Sequence, residues 1–236
     1  MTVLTENIAR VKDRLALAAQ RAGRNPAEIA LVAVSKTHPA EVVEAAAAAG
    51  LRDFGENRIE EAAPKLAAVK AAGLRWHMIG HIQSRKAQAV AQAGLALVHS
   101  VDSVKLAQLL SRWAAEAGRV QPILLECNVS GEESKEGFAA HDLALWEKRL
   151  PEFDAILKLP GVRVYGLMTM APIVPEPEAV RPFFSRLRKL QEYLRIGLPQ
   201  VGWQELSMGM TDDFEAAIAE GATLVRVGRA IFGKRE

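Results

Sequence analysis

A lysine stands at the point where an apolar strand is predicted to end. Residues 31–34, Leu-Val-Ala-Val, lead directly into Ser35 and Lys36, and a helix is predicted to follow from residue 39. An ammonium group costs several kcal/mol to bury without a partner. Lys36 therefore either marks the place where the strand reaches solvent or is held there for chemistry. The second interpretation is open because a partly desolvated amine is a nucleophile that forms Schiff bases.

An arginine inside a second apolar segment is another candidate for chemistry. Arg226 lies within Leu-Val-Arg-Val-Gly, residues 224–228, two residues before a predicted turn. A buried guanidinium needs an anion or a hydrogen-bond acceptor. A pyridine nitrogen is one such acceptor. The alternative is a buried carboxylate, for which Glu56 and Glu205 are the candidates.

Two loops combine small residues, glycine and hydroxyl groups in a way that favours phosphate binding. They are residues 206–213, LSMGMTDD, and 227–233, VGRAIFG. Glycine lets the backbone approach an anion, and the free N–H groups of a helix start point at it. Ser207 adds a hydroxyl donor, and Gly228 with Arg229 offers backbone N–H groups. The alternative is that Thr211 and the acidic residues after it form an ordinary helix start, with Gly228 a turn glycine.

Predicted strands alternate with predicted helices along the chain, after a helix at 5–22. The strands are predicted at 29–35, 52–56, 76–80, 96–101, 122–129, 162–170, 203–208 and 224–228. The helices are predicted at 39–49, 57–71, 84–93, 103–117, 139–158, 176–196, 212–220 and from about 229. Apolar strands alternating with helices indicate a parallel sheet covered on both faces. Eight such units predict a (β/α)8 TIM barrel, of the α/β class, with an extra N-terminal helix.

We expect this barrel to be a single domain over residues 1–236. Active groups of such barrels lie at the C-terminal ends of the strands, where the first and last strands are neighbours. Lys36 and Arg226 are therefore predicted to lie close together. An open doubly wound sheet is the alternative fold. No G-x-G-x-x-G follows the first strand, which weakens a dinucleotide-binding version of it.

Composition limits the partners. The chain is 50% hydrophobic and 25% charged with a net charge of +2, which gives no argument for nucleic acid or a membrane surface. The one cysteine, Cys127, excludes an internal disulfide and fits a cytoplasmic location. The charged N-terminal segment matches neither a signal peptide nor a membrane span. The five histidines lack zinc-motif spacing, so no metal site is expected.

A set of motifs carries a family resemblance. The motifs are SKTHP, FGENRIEE, WHMIGHIQSRK, HSVDS, ECNVSGEESKEG, YGLMTM, LSMGMTDDFEAAI and VRVGRAIFG. Together they resemble the YggS/PROSC family of pyridoxal 5′-phosphate-binding proteins, also called pyridoxal phosphate homeostasis proteins. The resemblance extends from about residue 29 to residue 233. It implies a fold like the N-terminal barrel of alanine racemase.

The resemblance also implies a cofactor site for pyridoxal 5′-phosphate. It implies that Lys36 holds the cofactor as an internal aldimine and that Arg226 faces the pyridine nitrogen. The further contacts that it implies are Asn57 near the ring, phosphate contacts from Ser207, Gly228 and Arg229, and a pocket wall that includes His81 and Met168.

The chain departs from the family pattern at two positions. Many family members carry threonine where this chain has Arg229, so the phosphate contact there is either a backbone N–H or a guanidinium in place of a hydroxyl. Some relatives carry lysine at the position of His38.

The resemblance favours a cofactor carrier over a fast enzyme. Racemases of this fold take a second base, a tyrosine, from a second domain of the partner subunit. The two tyrosines here, Tyr165 and Tyr193, have no evident matching position. We therefore expect a monomer that binds pyridoxal 5′-phosphate and serves apo-enzymes that depend on it, without fast catalysis. The alternatives are a slow amino-acid racemase and an aldolase that uses Lys36 on a phosphorylated sugar.

Overall fold

Parallel strands close into a ring in the computed structural model, which describes residues 2–233 of the chain. The strands are β1 (Ala30–Val34), β2 (Asp53–Glu56), β3 (Arg75–Met78), β4 (Leu97–Val101), β5 (Gln121–Asn128), β6 (Phe138–Ala139), β7 (Val162–Met168), β8 (Glu205–Ser207) and β9 (Leu224–Val227). All of these strands except β6 form the ring, eight in total. The ring is closed because β1 pairs with β9 and β4 pairs with β5. The predicted (β/α)8 barrel is confirmed, and the open doubly wound alternative is wrong.

Helices cover the outside of the ring. They are α1 (Val3–Arg21), α2 (Ala40–Ala48), α3 (Ile59–Ala68), α4 (Ala87–Gln92), α5 (Val104–Glu116), α6 (Leu143–Leu157), α7 (Arg181–Gly197), α8 (Phe214–Ala219) and α9 (Arg229–Phe232). Short 3-10 turns occupy Pro26–Glu28, Ser84–Lys86 and Pro177–Val180. No helix within the described range is long and apolar enough to cross a bilayer.

The extra N-terminal helix packs beside the last two helices of the barrel. Ile8, Val11 and Leu15 form its buried stripe. Asn7 Nδ2 donates to the carbonyl oxygen of Ile231 at 3.1 Å, which ties α1 to α9. The predicted helix at 5–22 is therefore present and begins slightly earlier, at Val3.

One difference from the predicted elements lies before α6. The helix predicted from residue 139 begins only at Leu143, because Asp142 caps it by accepting from the backbone N–H of Ala144 at 2.9 Å. The residues before the cap include β6, a two-residue strand that pairs with the end of β5 outside the ring.

Two different environments fill the barrel interior. Val32, Leu97, Leu124, Met168 and Leu224 form an apolar cluster of their own, separate from the core between strands and helices. Alternate residues of a strand point to the same face. On β9 the inward face therefore continues from Leu224 to Arg226 and Gly228, and on β1 it continues from Val32 to Val34 and Lys36. The apolar interior gives way to charged groups toward the C-terminal ends of the strands.

Candidate functional site

A cavity of about 790 Å³ opens at the C-terminal ends of the strands. We call it the mouth cavity. It is lined by residues from the loops after β1, β2, β3, β7, β8 and β9. Six of the eight predicted site residues lie on its wall: Lys36, Asn57, His81, Arg226, Gly228 and Arg229. The fold therefore brings together residues that are up to 193 positions apart in sequence, counted from Lys36 to Arg229.

Two predicted site residues lie elsewhere. Met168 is fully buried in the apolar cluster inside the barrel, and Met170 is on the cavity wall. Ser207 is fully buried at the end of β8, where it bonds other side chains, and Thr211 is on the wall. These placements do not support a pocket contact for Met168 or a phosphate contact for Ser207. Met168 and Ser207 are the last residues of β7 and β8, and the parts of the wall that follow these two strands come from the loops after them.

A buried ion pair fixes the backbone next to Lys36. Ser35 Oγ donates to Glu56 Oε1 at 2.7 Å. Lys65 Nζ donates to the same oxygen at 2.7 Å and to the carbonyl oxygen of Ser35 at 2.8 Å. The carboxylate of Glu56 is 1% exposed, so this triad is almost dry. Lys36 thus follows Ser35, whose hydroxyl and carbonyl groups both form hydrogen bonds within the triad.

The residue after Lys36 is also constrained. Thr37 has φ of +70°, in the left-handed region that non-glycine residues rarely adopt. Its backbone N–H donates to Glu61 Oε2 at 3.2 Å. Backbone strain of this kind persists only where the surroundings enforce it, and it is concentrated at functional sites. The strand end at Lys36 is therefore held in one conformation from both sides.

The guanidinium of Arg226 is 4% exposed although it belongs to the cavity wall. Nη1 donates to Ser207 Oγ at 2.6 Å, and Nη2 donates to the carbonyl oxygen of Thr169 at 2.9 Å. Burial lowers the pKa of Arg226 to about 10, although the charges of Glu126 and Asp213 oppose this. Arg226 is consequently still a cation at neutral pH. The guanidinium has five N–H donors, so it has capacity for an acceptor in the cavity.

The two carboxylates given as alternative partners of Arg226 do not pair with it. Glu56 pairs with Lys65 on the outside of the ring. Glu205 Oε2 accepts from Thr223 Oγ1 at 2.5 Å. Neither carboxylate hydrogen-bonds the guanidinium, whose described acceptors are a hydroxyl and a carbonyl oxygen.

Glu126 is a buried acidic residue, coupled by charge to Arg226, that sequence reasoning missed. It lies within the apolar strand β5, two residues before the strand ends, and is 3% exposed. Burial, with a smaller contribution from Asp102, raises the pKa of Glu126 to about 7, although Arg226 opposes the rise. The sequence signal that could have identified it is an acidic residue inside an apolar strand, similar to Arg226 in β9.

The loops after β8 and β9 meet on one side of the mouth cavity. Gly209 has φ of +92°, and a Cβ there would lie 2.6 Å from Ala217 Cβ, so only glycine fits. The guanidinium of Arg229 forms an ion pair with Asp212, which joins the two loops. Thr211 and the first residues of α9 also face this side. The backbone N–H groups at the start of α9 have no carbonyl of their own helix to bind.

The loops after β2 and β3 form the opposite side. A Cβ on Gly80 would lie 2.4 Å from the carbonyl oxygen of Asn57, so the two loops are in backbone contact. His81 Nδ1 lies 3.1 Å from Asp102 Oδ2. His81, Asp102 and Glu136 have ligand atoms within 4.8 Å of one another. Sequence spacing did not reveal this group, which is largely exposed and offers only three ligands, short of a closed metal site.

The two tyrosines are remote from the mouth cavity. Tyr165 lines a different cavity at the N-terminal end of the barrel. Tyr193, in α7, packs against Trp146 with ring centroids 5.6 Å apart. Among the described residues that line the mouth cavity there is no tyrosine.

Comparisons with known proteins agree on one family. The family model described as alanine racemase, N-terminal domain, matches residues 7–236. A pyridoxal phosphate homeostasis protein of Pseudomonas aeruginosa is 48% identical over 237 aligned positions, which cover 100% of this chain and 97% of that protein. A protein of the same name from Aquifex aeolicus is 41% identical over 98% of both chains.

Solved structures show the same relationship. PipY of Synechococcus elongatus with pyridoxal phosphate (PLP) bound is 35% identical, with a TM-score of 0.82, over 98% of this chain and 100% of that one. An alanine racemase of Clostridium difficile is 14% identical with a TM-score of 0.71, over 98% of this chain and 56% of that one. The second likeness shows the fold alone.

We predict that Lys65→Met destabilises the protein by about 3–5 kcal/mol, because it leaves the buried carboxylate of Glu56 without its cation. Lys158→Met is the matched control, since Lys158 pairs with Asp154 on the surface. The control should change the free energy of unfolding by about 0.5 kcal/mol or less. Urea unfolding of both variants measures this, and equal losses would contradict the role of the buried pair.

A second prediction concerns pH. Glu126 has a raised pKa in the folded protein, so its contribution to stability is complete below about pH 4.5 and is lost as pH rises through about 7. The change is about 3 kcal/mol. Glu126→Gln should lack this component when the free energy of unfolding is measured at pH 5 and pH 8. Glu147→Gln, an exposed change in α6, serves as control. Parallel pH profiles for Glu126→Gln and the unaltered protein would contradict the burial effect.

Proposed function

Because the chain belongs to the alanine racemase N-terminal domain family, among the pyridoxal phosphate homeostasis proteins, we propose that it binds pyridoxal 5′-phosphate in the mouth cavity and serves the homeostasis of that cofactor. The observation that carries the proposal is a lysine and a buried arginine on the wall of one cavity. A relative of the same length, PipY, has been solved with the cofactor bound.

The residues of the mouth cavity fit the cofactor. The cofactor has an aldehyde, a ring nitrogen and a phosphate, and the wall offers an amine, a guanidinium and a glycine-containing pair of loops. Lys36 is the residue for covalent attachment to the aldehyde. Arg226, whose burial demands an acceptor, is the residue for the ring nitrogen. When bound, the cofactor supplies an electron-withdrawing ring and a reactive carbonyl carbon.

The phosphate is assigned to the loops after β8 and β9. Thr211 contributes the hydroxyl that was first attributed to Ser207. Gly228 and Arg229 contribute backbone N–H groups at the start of α9. The guanidinium of Arg229 is engaged by Asp212, so its part is to join the two loops and add positive charge. For position 229, where many family members carry threonine, the proposal is therefore a backbone contact. Asn57 and His81 stand on the ring side of the cavity.

The chain's own residues favour holding the cofactor over fast turnover. A racemase of this fold needs a second proton-transfer group opposite the lysine, and neither tyrosine lies on the cavity wall. A guanidinium at the ring nitrogen donates a hydrogen bond and keeps that nitrogen unprotonated, which weakens electron withdrawal. We assign the protein the role of a carrier in the cytoplasm. In this proposal the protein is a monomer, residues 1–236 form a single domain, and the protein supplies cofactor to apo-enzymes. The proposal does not assign it the role of a racemase or an aldolase.

We predict that borohydride reduction of the cofactor-loaded protein leaves a stable adduct on the peptide that contains Lys36. The near-visible absorption of the bound cofactor should be lost in Lys36→Ala and kept in Lys86→Ala, whose lysine pairs with Glu60 away from the mouth cavity. Peptide mass mapping makes the assignment. An adduct on another lysine, or no adduct after incubation with pyridoxal 5′-phosphate, would overturn the proposed site.

Carrier and enzyme differ in turnover. The loaded protein should restore activity to an apo-enzyme that depends on pyridoxal 5′-phosphate, and Lys36→Ala treated in the same way should not. The turnover number for formation of D-alanine from L-alanine should stay far below about 1 per second, the lower end of the range typical of enzymes. Racemisation at or above that rate would contradict the carrier role.

A further inference from the structure

A line of hydrogen-bonded side chains crosses the interior of the barrel, and all of its members are buried except Arg75 at the N-terminal end. We call it the interior network, and it consists in spatial order of Arg75, Asp53, His77, His99, Ser207 and Arg226. It begins at a second cavity at the N-terminal end of the barrel, which Asp53, Arg75 and His77 line. It ends at the guanidinium on the wall of the mouth cavity. The two ends of the barrel are thus joined by polar groups through an otherwise apolar interior.

The contacts in the network are short and dry. Asp53 Oδ1 lies 3.0 Å from His77 Nε2, and His77 Nδ1 lies 2.9 Å from His99 Nε2. His99 Nδ1 lies 2.8 Å from Ser207 Oγ, which accepts from Arg226 at 2.6 Å. Asp53, the most accessible of these five, is only 7% exposed. At such burial a contact between two hydrogens or between two lone pairs is costly, so every hydrogen must have a definite position.

The two ends of the network fix its direction. The guanidinium of Arg226 can only donate. At the other end, Asp53 accepts from two groups: Arg75 donates to both of its oxygens at 2.6 Å, and His77 is the second donor. Burial works against ionisation of Asp53, but the hydrogen bonds from His77 and Arg75 more than offset it and lower its pKa. Asp53 is therefore a carboxylate that can only accept.

Between these ends one arrangement satisfies every contact. Ser207 accepts from Arg226, so its single hydrogen points to His99 Nδ1. His99 then carries its hydrogen on Nε2 and donates it to His77 Nδ1. His77 carries its hydrogen on Nε2 and donates it to Asp53. In the opposite direction, His77 donates from both ring nitrogens and therefore carries an extra proton. His99 then donates from Nδ1 to Ser207, so the hydroxyl hydrogen of Ser207 has no acceptor on His99. Burial holds the pKa of His99 well below its usual value, and a positive charge on His77 or Arg226 lowers it further, so His99 stays neutral beside the guanidinium.

We propose that His77 and His99 are positioning residues, held as neutral Nε2–H tautomers, which keep Ser207 as an acceptor and so orient the guanidinium of Arg226 toward the mouth cavity. The inference rests on the proposed function for its effect on the cofactor. The tautomers themselves belong to the ligand-free protein and do not depend on it. Neither histidine was a predicted site residue.

The first test is nitrogen NMR of ligand-free protein labelled with 15N in its histidine rings. Two imidazoles should show a protonated Nε2 and an unprotonated Nδ1 at neutral pH, with slow solvent exchange. One of the two signals should be missing in His77→Phe and the other in His99→Phe, which assigns each signal to its histidine. A protonated Nδ1 on either ring, in the neutral tautomer or in an imidazolium, would overturn the proposal even if the protein binds no cofactor at all.

The second test separates direction from packing. In His99→Gln the side-chain amide can accept from Ser207 and donate to His77, so the direction survives. His99→Met fills similar space but provides neither function. We expect His99→Gln to keep the Nε2–H tautomer of His77 and the absorption maximum and affinity for pyridoxal 5′-phosphate. His99→Met should shift the maximum and weaken binding about tenfold, the equivalent of one lost hydrogen bond.

The outcomes are distinguishable. Equal loss of affinity in the two variants would mean that His99 only fills space, and unchanged affinity in both would mean that the network does not reach the cofactor. Either result overturns the proposal. Should His99→Met fail to fold, the tautomer of His77 in His99→Gln still decides, because a switch to Nδ1–H would contradict the fixed direction. Failure of the Lys36 adduct alone would refute the cofactor assignment and leave the tautomer result standing.

Discussion

A guanidinium buried in the barrel interior is the constraint on which the rest of the site depends. Arg226 follows the apolar cluster on the inward face of β9, where a cation is costly unless its donors are used. The interior supplies a hydroxyl and a carbonyl oxygen as acceptors, and the charges of Glu126 and Asp213 favour its ionised form. Those requirements explain why an otherwise apolar barrel has polar side chains along one path. In the proposed function, the remaining donors of this guanidinium are the ones that bind the ring of the ligand.

A separate set of contacts, on the outer side of the same strands, fixes the backbone next to Lys36. Ser35, Glu56 and Lys65 form a dry triad that fixes the backbone at the end of β1. Strand β1 pairs with β9 in the register Val32↔Arg226, so Lys36 and Arg226 extend from neighbouring strands. The fold thus separates two tasks. The outside of the ring immobilises the lysine backbone, while the inside orients the arginine, and the cavity lies where the two meet.

The alternation of strands and helices predicted the barrel because several strands, such as β1, are buried on both faces and read as apolar runs. It did not predict β6, whose two residues carry no periodic signal. Lys36 and Arg226 were predictable because a charge in an apolar strand is conspicuous in sequence. Met168 and Ser207 were predicted to contact the cofactor, but the structure buries both at strand ends behind the cavity wall, so their contacts stay predictions. The contact of His77 with His99 could not be read from sequence, since it depends on the register of β3 against β4 and on side-chain orientation.

The most direct test of the account is a crystal structure of the protein grown with pyridoxal 5′-phosphate. We expect electron density continuous with Lys36 Nζ, a ring nitrogen within hydrogen-bonding distance of Arg226, and a phosphate between the loops of residues 209–211 and 228–230. A cofactor attached to another lysine, or one whose ring nitrogen faces a carboxylate such as Glu126, would contradict the central claim that the buried guanidinium selects the ligand.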